Sequence, residues 1–371
     1  MDSVTARVYE DRARDWIAQR TPRALEDGRL DAFAAQVRGG GRIADLGCGP
    51  GWYAAHLRAA GHTVVALDLS RAMLVAAGRL HPGLPRVCAD LAALPIADAS
   101  LDGAWAQACY PHLSGDELPL ALARLHAALR VDAPLALALA DLERLHPPAR
   151  ADTGGELERR FEDDAFGPRL FSFQTPERMR ALLEGAGFAS IELEPSRRSF
   201  WMHVRARRAR TLPDFVAPGL RVLVCGLNPS LHAADRGIPF ARGGNRFWPA
   251  ARAAGLVERE RDVLAALRRG IGFTDLVKRA TVRAAELRPE EYAAGVRRLA
   301  AVVRRHRPAV TCFVGLDGWR RAVDRRARPG MIANGFAGRP AYLMPSTSGL
   351  NAHASLERLT EHLRKAAAAT G

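Results

Sequence analysis

Short apolar runs alternate with helical patterns along this 371-residue chain, and the alternation starts twice. Arg42–Leu46, Thr63–Leu67, Leu101–Ala106 and Leu135–Ala140 read as strands, with a terminal pair at Ser190–Glu194 and Phe200–Arg205. Helical patterns lie between them, among them Pro119–Leu129 and Pro176–Ala186. Strand and helix in turn imply an α/β fold, a mainly parallel sheet with helices on both faces. The basic stretch Arg205–Pro213 closes the pattern, and a fresh buried strand, Arg221–Cys225, opens soon after. Strands at Val310–Val314 and Ala341–Met344, with a C-terminal helix at Ala354–Ala366, complete a second α/β unit. The expected division is residues 1–210 and 211–371, two domains rather than one oversized core. The first is expected to hold a seven-stranded, mostly parallel sheet, the second a smaller parallel one.

Charge divides along the same line. Residues 1–210 hold 27 basic and 27 acidic side chains, whereas 211–371 hold 27 basic and 13 acidic, so the second half carries the whole net charge of +14. A half this basic beside a neutral one points to a polyanionic partner. The five cysteines form no C-x-x-C pair, which removes the usual zinc and iron–sulfur patterns, and no metal is expected. No apolar run reaches the roughly 18 residues of a membrane span, and the N-terminal residues lack the apolar core of a secretion signal. A cytoplasmic monomer without a membrane partner is the expectation.

The first site candidate is the turn Asp45-Leu46-Gly47-Cys48-Gly49-Pro50-Gly51, a strand running into a glycine loop and then a helix. Glycines let the backbone approach a ligand closely, and the helix N-terminus adds donors. Asp68 ends the next strand, where a carboxylate can accept hydrogen bonds from ribose hydroxyls. Asp90 follows a third strand, at a position suited to an adenine amino group. A dinucleotide fold is the alternative, but it spaces its glycines G-x-G-x-x-G. The loop and its two acids resemble the class I S-adenosylmethionine-dependent methyltransferases over about residues 1–208. That resemblance implies a Rossmann-like domain binding S-adenosylmethionine through Asp45, Gly47, Gly49, Gly51, Asp68 and Asp90. The segment Gln107–His112 lacks the acceptor-site patterns of amino-methylating and cytosine-C5 DNA methyltransferases. Cys109 reads as packing, His112 as either a general base or a wall of the site, and the methyl acceptor stays open.

In the second half, Asn228-Pro229-Ser230 turns a strand into a helix, Asn245-Arg246-Phe247-Trp248 follows, and Ser346-Thr347-Ser348-Gly349-Leu350-Asn351 comes after the last strand. Each alone is an ordinary turn. Together they are similar to the mismatch-specific uracil/thymine-DNA glycosylases, a branch of the uracil-DNA glycosylase superfamily, over about residues 217–366. The resemblance implies an α/β/α domain acting on double-stranded DNA without a cofactor. Asn228 would position the attacking water, and Phe240 would stack on the flipped pyrimidine. Leu227, Ala233 and Asn245 would line the base pocket. Ser346 would meet a phosphate, and Gly349, Leu350 and Asn351 would fill the hole left by the base, with Leu350 as the wedge. Neither Lys278 nor Lys365 falls in these segments, so no amine nucleophile for strand cleavage is expected.

The leading expectation is a monofunctional DNA repair glycosylase for uracil opposite guanine, with thymine not excluded, fused to a methyltransferase. The alternative makes methylation of a small molecule or RNA the main activity, with the second half a nucleic-acid-binding module. A third reading has both halves as binding units only.

Overall fold

The computed structural model describes residues 1–20, 22–145, 155–162, 165–197, 199–351 and 353–369. They form two compact units, Met1–Glu184 with Phe188–Ala209, and Arg210–Gly371 with Gly185–Gly187.

The first unit has nine strands among the described residues. They are β1 (Arg42–Leu46), β2 (Thr63–Asp68), β3 (Arg86–Cys88), β4 (Gly103–Ala106), β5 (Pro134–Asp141), β6 (Glu156–Phe161), β7 (Arg169–Gln174), β8 (Phe188–Pro195) and β9 (Trp201–Arg208). Strands β3, β2, β1, β4 and β5 lie side by side and parallel. Strand β5 is buried along its whole length, as its uninterrupted Leu and Ala predict for a central strand. Antiparallel β9 covers its other side and pairs with β8. Along β9, Met202, Val204 and Ala206 are buried while the residues between them are partly or fully exposed, the period of two that a one-sided strand requires. These seven strands make the sheet expected from the sequence.

The count corrects to nine because Glu156–Phe161 and Arg169–Gln174 form a hairpin, joined at Ala140↔Phe173 to the end of β5. An aromatic cluster of Phe161, Phe171, Phe173, Phe200 and Trp201 anchors it. The charged sequence of β6 (ELERRF) hides it from a hydrophobic pattern.

The second unit holds β10 (Val222–Gly226), β11 (Ile271–Asp275), β12 (Val310–Val314), β13 (Gly330–Met331) and β14 (Ala341–Met344) in the order β11-β10-β12-β14-β13. All pairs are parallel except β13 with β14. Helix Pro289–His306 starts with Pro at its first turn and buries Tyr292, Gly295, Leu299, Val303 and His306, a stripe at helical spacing. Helix Leu356–Ala368 is capped by the Ser355 hydroxyl and buries Leu359, Leu363 and Ala366. Because β10, β11, β12 and β14 run the same way, the loops after Gly226, Asp275, Val314 and Met344 open at one edge. In open α/β sheets that carboxyl edge is where ligands bind.

Candidate functional sites

In the first unit, Gly47, Gly49 and Gly51 all have positive φ, and the loop they form links β1 to helix Trp52–Ala59. At Gly47 only glycine fits, since a Cβ would overlap the Cβ of Cys109. Asp68 holds this loop from the end of β2, accepting from Gly49 N–H at 2.8 Å and Ser70 N–H at 2.9 Å. Asp45 accepts from Ala54 N–H at 3.0 Å, and its second oxygen is buried without a hydrogen-bond partner. Burial pushes the Asp45 carboxyl up to about 7. Asp90 caps a short turn through Ala92 N–H, and its other oxygen lies 3.2 Å from the Met1 amino group. An orphaned buried carboxylate oxygen, a loop of left-handed glycines and two acids at successive strand ends fit a nucleoside cofactor with a cationic amino-acid tail.

Helix Ser3–Asp11 lies against the turn that follows β2. Glu10 accepts from Ser70 Oγ at 2.8 Å, and Trp16, on the next helix (Ala13–Ala18), stacks on Trp52. Tyr9 reaches His112: its hydroxyl lies 2.8 Å from Nε2, while His112 Nδ1 lies 2.7 Å from the Leu170 carbonyl oxygen. A carbonyl only accepts, so Nδ1 carries the proton, and Nε2 is the acceptor for the Tyr9 hydroxyl. Arg169 Nη1 donates to the Tyr9 oxygen at 2.9 Å, completing a chain from Arg169 to Tyr9 to His112. Cys109 gives its thiol hydrogen to the Leu46 carbonyl, and burial drives its pKa far up, which suits packing and not nucleophilic attack.

In the second unit, β10 ends at Gly226 and the turn Leu227-Asn228-Pro229 follows, with Ser230 capping helix Leu231–Arg236. The Asn228 amide nitrogen donates to Thr281 Oγ1 at 2.8 Å, to the Arg279 carbonyl at 3.0 Å and to the Pro229 carbonyl at 3.3 Å. With the nitrogen so engaged, the amide oxygen is the group left to act on a ligand. Phe240 has φ 56°, a left-handed conformation that a bulky residue holds only when its surroundings impose it. Its ring stacks on Phe247 with centroids 4.3 Å apart and comes near Gly226. Leu227 packs against Gly318, and Ser346 against Gly315, so the turns after β10, β12 and β14 form one continuous rim.

The loop after β14 carries Leu350 with 86% of its surface exposed. Arg246 holds this loop, donating to the carbonyls of Ser348 at 3.1 Å, Asn351 at 2.6 Å and Ala354. Gly349 lies against the backbone of Gly244, and Asn351 donates to the Ser346 carbonyl at 2.8 Å. An exposed leucine on a loop tied down from behind is a presented group, not a fragment of core.

Comparison with known proteins agrees with this geometry. Residues 213–369 match the family model of the uracil DNA glycosylase superfamily, and residues 43–132 match a methyltransferase domain model. The chain joins a methyltransferase domain to a uracil-DNA glycosylase superfamily domain. Among solved structures, an S-adenosylmethionine-dependent methyltransferase from Mesorhizobium loti is 24% identical, with 50% of this chain and 98% of that one covered at a TM-score of 0.40. A Burkholderia thailandensis 1,6-didemethyltoxoflavin-N1-methyltransferase, solved with 1,6-didemethyltoxoflavin and S-adenosylhomocysteine, is 22% identical over 55% of this chain and 88% of its own, at 0.38.

Within the methyltransferase domain, the structure brings Asp45, Gly47, Gly49, Gly51 and Asp68 to one loop, and Asp90 lies just beyond the neighbouring β3. Tyr9, Glu10, Trp16 and Arg169 join them without any local sequence signal. Within the glycosylase-superfamily domain, Asn228, Leu227, Phe240, Ser346, Gly349, Leu350 and Asn351 line the rim. Two expected pocket residues also serve the local fold. Ala233 is buried against Leu212 and Ala241, and the Asn245 oxygen accepts from Phe247 N–H at 2.9 Å as the turn before helix Phe247–Ala253. Arg246 lay inside a recognised segment, but its role is visible only in three dimensions. Asp275, which ends β11 beside Gly226, belongs to none of the segments that the sequence singles out. Among the described residues no cluster of His, Cys, Asp and Glu is arranged to hold a metal, and no helix is long and apolar enough to cross a membrane.

Proposed function

We propose that the second domain is a DNA glycosylase that hydrolyses the N-glycosidic bond of uracil opposite guanine in duplex DNA. The observation that carries this reading is the engaged nitrogen of Asn228, held by Thr281, Arg279 and Pro229 beside the strained Phe240. Its free oxygen can accept a hydrogen bond from water and set that water against the sugar. Phe240 offers a face to an extruded pyrimidine, Leu227 borders it, and Ser346 meets a phosphate at the rim. Leu350, with Gly349 and Asn351, enters the vacated position in the duplex. Lys278 donates to Asp214 at 3.0 Å, so it is engaged in an ion pair, which supports a monofunctional enzyme that leaves an abasic site. The basic half supplies phosphate contacts, and binding should weaken steeply with salt.

The first domain, in this reading, is a class I methyltransferase. Asp68 would take the ribose hydroxyls, Asp90 the adenine, and Asp45 with Gly47, Gly49 and Gly51 the amino-acid end of S-adenosylmethionine. When bound, that cofactor supplies an electrophilic methyl group on a sulfonium. His112 Nε2 is taken up by the Tyr9 hydroxyl, so a proton from an acceptor would reach it only through Tyr9.

Duplex oligonucleotides carrying G·U, A·U or G·T pairs, incubated with the full chain and then cleaved by alkali, test the first reading. Cleavage at uracil, faster for G·U than A·U and slow or absent at G·T, is expected. Intact strands from every duplex would transfer the main activity to the methyltransferase domain.

A further inference from the structure

Asp275 ends β11 directly beside Gly226, with which it is paired in the sheet. The following residues continue along the Asn228 turn: Leu276 N–H donates to the Gly226 carbonyl at 2.9 Å, and Val277 N–H to the Leu227 carbonyl at 2.8 Å. Two steps further, the Arg279 carbonyl and Thr281 hydroxyl hold the Asn228 amide. Gly226 has to be glycine because a Cβ there would overlap Asp275 Oδ1, and it would lie 3.5 Å from the edge of the Phe240 ring. The carboxylate and the ring therefore share the floor at the end of β10.

The charged groups around Asp275 are committed elsewhere. Lys278, on the loop after β11, donates to Asp214. Arg298, on helix Pro289–His306, donates to Asp214 at 2.6 Å, to Thr274 Oγ1 and to the backbone carbonyl of Asp275. Asp214 thus takes both cations and adds a like charge, and Cys225 on β10 is buried as a thiol. The Asp275 carboxylate is left without an ion pair of its own. Burial pushes it up to about 6, against the pull of Lys278, with Asp214 pushing the same way and Arg298 opposing.

An amide can orient water but cannot take its proton, so the site built on Asn228 lacks a base. We infer that Asp275 is that base, a second catalytic residue of the glycosylase, which accepts the proton of the water oriented by Asn228; this rests on the glycosylase reading above. The bond from sugar C1′ to pyrimidine N1 breaks with its electron pair going to N1. The water oxygen bonds to C1′, and its proton passes to the Asp275 carboxylate, which later releases it to solvent.

Single-turnover release of uracil from a G·U duplex, measured across pH with the full chain, tests the inference. The wild type should lose rate on acidification, with a midpoint near the Asp275 value. Asp275→Asn should be slower by about 10²–10⁴-fold at neutral pH, lose that acid limb, and bind the duplex as before. Asn228→Ala should also be slower but keep the acid limb, which separates a proton acceptor from a structural support. Asp275→Asn at the wild-type rate, or with the limb intact, would overturn the inference. A wild type that releases no base, while still binding the duplex, sinks the glycosylase reading itself and the base assignment with it.

Discussion

Asn228 Nδ2 donates to Thr281 Oγ1 over 2.8 Å, joining the turn after β10 to the loop after β11. This bond decides which face of the amide looks into the site. Asn228→Ala should cut uracil excision by about 10²-fold or more while leaving duplex affinity within a few fold, since water placement matters chiefly in the transition state. Thr281→Val removes one of three bonds, worth about 1 kcal/mol or roughly fivefold in rate. Single-turnover excision alongside equilibrium binding of the same duplex distinguishes these outcomes. Equal losses in rate and affinity would mean that Asn228 only holds the turn.

The exposed Leu350 and the guanidinium of Arg246 act on one loop in different ways. Leu350→Ala should leave the loop in place and lower excision most on A·U, where a paired base costs more to extrude by a few kcal/mol at most. Arg246→Ala removes donors to three carbonyls, and the loop should loosen. Excision should then fall on G·U and A·U alike, with faster hydrogen exchange at residues 348–351. An Arg246 variant that affects A·U alone would place the guanidinium on DNA instead.

Strands β1, β12 and β14 stood out in the sequence because their apolar runs are local and bounded by turns. Asn228 and Leu350 stood out because each sits in a short segment with its own composition. Tyr9 and His112 are 103 positions apart, and Arg246 and Asn351 are 105 apart, so no window contains either pair. Strand β11 is hidden by Gly272, its second residue, where a Cβ would come within 2.9 Å of the Phe215 carbonyl. The fold needs that glycine for close packing, and a pattern of apolar residues loses the strand because of it. Asp275 was lost along with its strand.

Gly47 makes the methyltransferase loop testable without touching a charge. Alanine there meets both a left-handed backbone, costing about 1–2 kcal/mol, and the Cys109 side chain. Gly47→Ala should weaken S-adenosylmethionine binding by more than tenfold in calorimetry while the duplex is still processed. Asp68→Ala should also weaken it, because the carboxylate anchors Gly49 and, in the proposed reading, would take the ribose hydroxyls. Binding unchanged in both variants would exclude this loop as the cofactor site.

Two buried carboxylates should respond differently to the same substitution. Asp102 accepts from Arg38, Arg42 N–H and Arg130, while Asp214 is held by Arg298, Lys278 and Thr274. In each, burial alone would raise the carboxyl, but the cations and donors outweigh it and hold it below the usual range. A depressed folded-state pKa stabilises above the ordinary value near 3.8 and is lost as pH falls toward the folded one, so both should contribute to acid unfolding below about pH 4. The cations around Asp102 are solvated, with Arg38 and Arg130 side chains 65% and 40% exposed, whereas Arg298 and Lys278 are 14% and 16% exposed. Asp102→Asn should therefore cost about 1–2 kcal/mol. Asp214→Asn strands two buried cations and should cost about 3–5 kcal/mol. Denaturant unfolding at pH 7 and pH 3 measures both. Each penalty should shrink at the lower pH, because there the unfolded chain takes up a proton that the folded carboxylate does not; a penalty of the same size at both pH values would mean that packing, not charge, sets it.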